Sequence, residues 1–211
     1  IKTVDIEHTN ELATFDPAWV DSLSLSLPCY GIPVPKRTMR LPNAPRNYRN
    51  GTHRGLDFFA NWGTPVRSVA DGIVVRSDLH YEEVPADFRE NLLKATTKVG
   101  HTPSDIFNSV LLGKSVFLDH GFDLIPGFRT ISIYAHLSHI EKEIVPGAIV
   151  KRGELLGKSG NTGMRESTIG SKAGSHLHWE LILQKEGEEI YLGKGMSNPE
   201  LYDMLSRIFT Q

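Results

Sequence analysis

Cysteine is almost missing from this sequence: Cys29 is the only one in 211 residues. That excludes an intrachain disulfide and any site built on several thiolates, so a bound metal would have to rely on histidine and carboxylate. Cys29 itself is expected to be a small packed residue. Long apolar runs are missing too, and nothing approaches the ~18 consecutive apolar residues that read as a membrane span. Net charge is the third shortage. Lys plus Arg total 23 against 25 Asp plus Glu, a formal charge of -2. This balance gives no basic field to draw the chain onto nucleic acid, which is therefore not expected as a partner. The chain opens at Ile1 rather than at methionine, from which an upstream signal or anchor is expected.

What is present suffices for one core. Hydrophobic residues make up 39% of the chain, and its length does not require a second domain. Five prolines between Pro28 and Pro45 restrict their own φ and that of each preceding residue, which predicts an extended arm. Upstream, Asp16-Pro17 predicts a short helix with Asp16 as cap. Residues 1–47 thus read as an accessory segment and arm, and 48–211 as the main domain. From Leu56 onward, glycine-containing turns such as Asp71-Gly72, Pro146-Gly147 and Arg152-Gly153 separate β-rich runs such as Ile73-Val74-Val75 and Val116-Phe117-Leu118. The expected fold is mainly β. Residues 84–112 break the rhythm with Val84, Phe88, Leu92 and Ala95 at near-helical spacing, predicting a helical insertion between two strands.

Three segments carry candidate chemistry. In His53-Arg-Gly-Leu-Asp57, Gly55 argues against helix, and residues four apart on an extended chain share a face. In His176-Leu-His178-Trp-Glu-Leu-Ile-Leu183, Leu177, Trp179, Leu181 and Leu183 alternate as a buried face, which leaves His176, His178 and Glu180 on the other. In Arg129–Leu137, alternation puts Ile131, Ile133, Ala135 and Leu137 on an apolar face and Ser132, Tyr134 and His136 opposite. Imidazoles and a carboxylate on the polar faces of strands suit zinc. A lone His-x-His is more often a pair of solvated or hydrogen-bonded histidines, and joint occurrence with His53 and Asp57 is what raises the metal reading.

Over about residues 48–183 the chain resembles the lysostaphin-type, LytM-like zinc peptidases. The resemblance rests on His53-Arg-Gly-Leu-Asp57, Gly63-Thr-Pro-Val66, Ala70-Asp-Gly-Ile-Val74, Tyr134-Ala-His-Leu-Ser138, Val150-Lys-Arg-Gly-Glu-Leu-Leu-Gly157, Gly160-Asn-Thr-Gly163 and His176-Leu-His-Trp-Glu180, in the family's order. It implies a two-sheet antiparallel β core of the duplicated hybrid motif type with a groove across the site. It also implies that His53, Asp57 and His178 bind one zinc ion while His136 and His176 act in catalysis off the metal. The implied activity is endopeptidase cleavage of peptides in bacterial peptidoglycan, outside the cytoplasm.

Two other readings use the same residues differently. Some relatives lack the ligands and regulate cell-wall amidases instead, against which stands the presence of all five site residues. A phosphocarrier-type domain would not need Asp57.

The remaining features have plainer expectations. Six basic and no acidic residues from Lys36 to Arg54 read as a solvated basic loop or as a surface for substrate carboxylates. Glu180 reads as a surface residue or as one that orients a ligand. His120 is expected to pack at a strand end; His8, His80, His101 and His139 are expected at the surface, and Trp62 at the groove. The insertion at 84–112 and the loop from Gly163 to Ser175 are expected to wall or cover the groove. Asn10, Asn43 and Asn47 are in principle able to supply a fourth ligand from an occluding segment.

Overall fold

Alternation in the strand Leu177–Lys185 sets the centre of the fold. Leu177, Trp179, Leu181 and Leu183 are completely buried. Burying one such side chain contributes about 1.5–3 kcal/mol, and a slip of one residue would turn all four to the opposite face together. Register is thereby fixed: Trp179 lies opposite Leu56 on one side and Tyr134 on the other, and His178 lies opposite Asp57.

The computed structural model describes residues 14–210, so His8 and Asn10 lie outside the described residues. A seven-stranded antiparallel sheet runs in the order Ile149–Val150, Gly72–Ser77, Val116–Asp119, Arg129–Ala135, Leu177–Lys185 and Glu188–Tyr191, and Leu56–Phe58 pairs with the start of Leu177–Lys185. A three-stranded antiparallel sheet has the order Pro65–Arg67, Leu155–Ser159, Leu137–Ile140. Val74, Leu118, Tyr134 and Trp179 from the large sheet share one buried cluster with Val66, Leu137 and Leu156 from the small one. The protein is thus mainly β, as its glycine-punctuated strands predict, with the two-sheet antiparallel core that the resemblance implies.

Residues upstream of 48 pack into that cluster as well, among them Phe15, Val20, Leu25, Cys29, Val34 and Leu41. Asp16 caps a one-turn 3-10 helix, Pro17–Val20, by accepting a hydrogen bond from the Ala18 N–H at 2.9 Å. Leu25–Ser26 pairs in parallel with Phe209–Thr210, which follows the helix Glu200–Ile208. Arg152 pins this clasp, donating from Nε to Ser26 Oγ at 2.6 Å and from Nη2 to Thr210 Oγ1 at 3.1 Å.

Between Gly72–Ser77 and Val116–Asp119 the expected insertion forms a helix, Ala86–Val99, then a second helical stretch from Ser104 to Leu111. Phe107, Leu111 and Leu112 cover Ile133, Ala135 and Ile182 on the face of the large sheet away from the main core. This reverses the expected faces of Arg129–Ala135. Ser132 and Tyr134 are completely buried toward the main core, where Ser132 Oγ meets His120 Nε2 at 2.7 Å and Tyr134 Oη accepts from the Val69 N–H at 2.9 Å. With both faces covered, alternation of polarity no longer separates inside from outside.

Candidate metal centre and groove

The cross-strand pair His178–Asp57 faces away from the main core, opposite Leu177, Phe58, Leu56 and Trp179. His53 joins it from the extended chain just before Leu56–Phe58 and is buried. Its Nε2 lies 2.9 Å from Asp57 Oδ1 and 3.1 Å from His178 Nδ1, and His178 Nδ1 lies 2.9 Å from the same Oδ1. His53, Asp57 and His178 each offer a ligand atom within 4.8 Å of the others.

The outward nitrogens of the two rings are already committed. His53 Nδ1–H donates to the Leu41 carbonyl at 2.8 Å, and His178 Nε2–H donates to Glu180 Oε1 at 2.8 Å. That leaves two nitrogen lone pairs and a carboxylate oxygen converging on one point, an arrangement of acceptors that either a proton or a cation must fill. The donor set, two imidazoles and one carboxylate, is one zinc accepts, with a fourth position left over.

Electrostatics agree with this geometry. Burial pushes the His53 ring down from its usual pKa, favouring the neutral form. Burial alone would also lower His178, but Asp57 and Glu180 push it up to about 9. Burial would raise the Asp57 carboxyl, yet His53, His176 and His178 together hold it well below the usual carboxylate range. Asp57 Oδ2 is separately held by the Arg46 guanidinium at 2.9 Å, which leaves Oδ1 turned toward the two rings. Glu180 is completely buried, with Oε2 3.1 Å from Arg54. It is not at the surface, because the insertion covers its face of the sheet.

His136 and His176 stand beside this cluster, their ring centroids 4.9 Å apart and that of His136 5.7 Å from His178. Each presents Nε2 because Nδ1–H is tied to a carbonyl, Thr162 for His136 at 2.8 Å and Gly174 for His176 at 2.7 Å. Burial, then the neighbouring His176 and His178, hold His136 well below the usual imidazole range. Strand parity would put His136 on the Tyr134 side. It departs from the strand with φ 61°, a left-handed conformation rare for a residue with a side chain, and joins His176 and His178 at the groove instead.

All five residues lie in a groove of about 730 Å³. Its rims are the turn Asn47–Arg49 on the His53 side and the helix Arg165–Thr168 on the His136 side. The basic stretch is a solvated loop only at its start, where Lys36 and Arg37 are exposed. Arg46 and Arg54 pair with Asp57 and Glu180, and Arg49 is buried, its guanidinium 4.6 Å from the Phe107 ring. Asn47 lines the groove, whereas Asn43 is fully used elsewhere, donating to the Gly193 and Met196 carbonyls and accepting from Tyr191 and Gly195. Trp62 is 39% exposed under Lys172 and is not among the residues lining the groove. His80, His101 and His139 are exposed and His120 is buried, as expected. Sequence reasoning missed Arg46 and Arg89 as groove residues; the acid-free basic run was the one available signal for the first, and nothing local marked the second.

A mainly β protein with a His–Asp–His cluster on the floor of a groove defines a class, and comparison with known proteins points the same way. Residues 95–191 match the model of peptidase family M23, a span that contains His136, His176 and His178 but not His53 or Asp57. This match, over somewhat less than half of the chain, supports a LytM-like family. It is 30% identical over 128 residues, 61% of its length, to a protein of Haemophilus influenzae described as an uncharacterized metalloprotease. It is 29% identical over 140 residues, 66% of its length, to the peptidoglycan DD-endopeptidase ShyA of Vibrio cholerae. The chain spans only 18% and 22% of these two relatives. Among solved structures, the catalytic domain of lysostaphin from Staphylococcus simulans is similar with 20% identity and a TM-score of 0.41, over 81% of this chain and 87% of that one.

Proposed function

We propose that this protein is a zinc-dependent endopeptidase that hydrolyses peptide bonds of bacterial peptidoglycan, in a stem peptide or a cross-bridge, outside the cytoplasm. The observation that carries the reading is the convergence of His53 Nε2, Asp57 Oδ1 and His178 Nδ1, with two further imidazoles presented to the same groove. His53, Asp57 and His178 would hold one zinc ion, whose Lewis acidity makes water a nucleophile near neutral pH and polarises a carbonyl. Leu41 and Glu180 fix the orientation of the two ligand rings, and Arg46 keeps the second carboxylate oxygen occupied.

His136 and His176 do the proton work. Each ring is locked by its Nδ1–H bond so that Nε2 meets the substrate, one accepting the proton of the attacking water and the other hydrogen-bonding the carbonyl oxygen as it gains charge. The ligands and proton-transfer groups all lie within 48–211, while 1–47, as an accessory segment, supplies the Leu41 carbonyl and Arg46 that hold them. Similarity to a peptidoglycan DD-endopeptidase supports the choice of substrate.

The test is mass spectrometry of defined cross-linked muropeptides after incubation with zinc-loaded protein, with chelator-treated and His178→Ala controls. New peptide termini that vanish in both controls are expected and would name the bond. Intact muropeptides despite one bound zinc per chain would sink the reading.

A further inference from the structure

The insertion closes one end of the groove. Its helix Ala86–Val99 packs against both rims, the turn Asn47–Arg49 and the helix Arg165–Thr168, and Arg89, Glu90 and Leu93 on it line the groove. Thr102, just beyond the helix, donates to the Arg49 carbonyl and ties the insertion to the first rim. Gly163 ties it to the second. Its N–H donates to Glu83 Oε2 at 2.9 Å, and its carbonyl accepts from Arg89 Nε at 3.0 Å. A substrate lying along this groove meets a wall rather than open solvent.

Arg89 is the group that the wall offers with its orientation fixed. With Nε spent on Gly163, its two terminal nitrogens form a planar fork, and among the described residues no carboxylate pairs with it. The nearby Glu83 is engaged already, its other oxygen accepting from Tyr81 Oη at 2.9 Å. Glu90 and Glu166 also line the groove and Arg165 balances one of them, so the wall attracts no ligand by net field; recognition falls to the anchored fork.

Its reach follows from the Thr162–Gly163 turn. The Thr162 carbonyl holds His136, and the next carbonyl holds Arg89. Anchored on adjacent carbonyls and lining one groove, the two side chains are neighbours, so the fork serves a substrate group close to the bond that His136 faces.

The geometry points to a carboxylate subsite at the walled end, with Arg89 as its specificity-determining residue. The substrate is a peptide carrying a free carboxylate close to the scissile bond, either its main-chain terminus or a side-chain group. This rests on the peptidase reading for the position of that bond.

The experiment uses zinc-loaded protein and a fluorescently labelled pentapeptide, L-Ala-γ-D-Glu-L-Lys-D-Ala-D-Ala, in three forms: unmodified, amidated at the terminus, and amidated at the D-Glu α-carboxylate. Anisotropy gives Kd and mass spectrometry gives cleavage, for the wild type, Arg89→Gln and Arg89→Lys. Amidating the recognised carboxylate is expected to weaken wild-type binding about 10-fold or more, and Arg89→Gln to bind that amide and the free acid alike. Which amide loses affinity tells terminus from side chain. Carboxylate-dependent binding without cleavage would leave the subsite standing and exclude the stem-peptide bonds, leaving the cross-bridge as the bond for the peptidase reading. Equal binding and cleavage of all three forms by the wild type would overturn the subsite and leave the peptidase. An Arg89→Gln protein that still discriminates as the wild type does would also overturn it, as would absence of binding throughout.

Discussion

Glu180 Oε1 accepts a hydrogen bond from Nε2 of His178 at 2.8 Å, and the carboxylate that accepts it is completely buried. That bond selects the tautomer in which His178 Nδ1 offers a lone pair toward Asp57 and His53. Replacing Glu180 with Gln keeps the shape and removes the charge. Zinc affinity is expected to fall about 10–100-fold, as for other partners of ligand histidines. Competition against a chelating fluorophore measures it, and an unchanged Kd would show that Glu180 does not tune the site.

The four site histidines should separate into two groups. His53→Ala and His178→Ala are expected to lose stoichiometric zinc, whereas His136→Ala and His176→Ala should retain it and lose about 10²–10⁴-fold in kcat. Metal analysis of each purified variant beside its turnover is the check. Zinc loss in His136→Ala would mean that this ring belongs to the ligand set.

His120 gives a pH dependence far from the groove. Burial lowers its pKa, and its nitrogens are bonded to the Asp71 carbonyl at 2.6 Å and Ser132 Oγ at 2.7 Å. The unfolded chain then binds the proton more readily than the folded one. Its stabilising contribution is present above the unfolded pKa of about 6.5 and is lost as pH falls from there toward the folded value. Denaturant midpoints of wild type and His120→Gln at about pH 7.5 and 5.5 should show the wild-type advantage shrinking in acid. An advantage that grows in acid would reverse the sign of the argument.

Gly163 has φ 77°, and a Cβ there would lie 2.6 Å from Gly113 N and 2.7 Å from the Leu111 and Val110 carbonyl oxygens. Gly163→Ala is expected to cost about 1–3 kcal/mol, because both the left-handed backbone and the close approach oppose it. Thermal unfolding reads the loss. A Tm within a degree of wild type would show that the turn relaxes freely.

Cys29 is completely buried and its thiol is pushed up to about 12 by desolvation. It should therefore react with a thiol reagent only on unfolding. Labelling of the native protein as fast as in denaturant would contradict its packing.

Where one face of a strand decides everything, the sequence is readable: Leu177, Trp179, Leu181 and Leu183 announce their face, and His178 with Asp57 follows from it. Where the insertion covers the second face, alternation fails. Ile133 and Tyr134 are both buried on opposite faces, and Glu180 is interior rather than surface. His136 reached the groove for a reason that no periodicity contains, a left-handed φ after the last strand residue. The partners of Arg46 and Arg89, Asp57 Oδ2 and the Gly163 carbonyl, were illegible because they lie 11 and 74 residues away.

The clasp between Leu25–Ser26 and Phe209–Thr210 has a mechanical consequence. Its strands run parallel, so tension drawn backward through Leu25 and forward through Thr210 pulls them along each other and loads their bonds together instead of peeling them singly. Arg152, bonded to Ser26 and to Thr210, acts as a rivet across that sliding joint. Traction applied along the chain is thus borne at the clasp, and the groove with its five residues lies off the line of force.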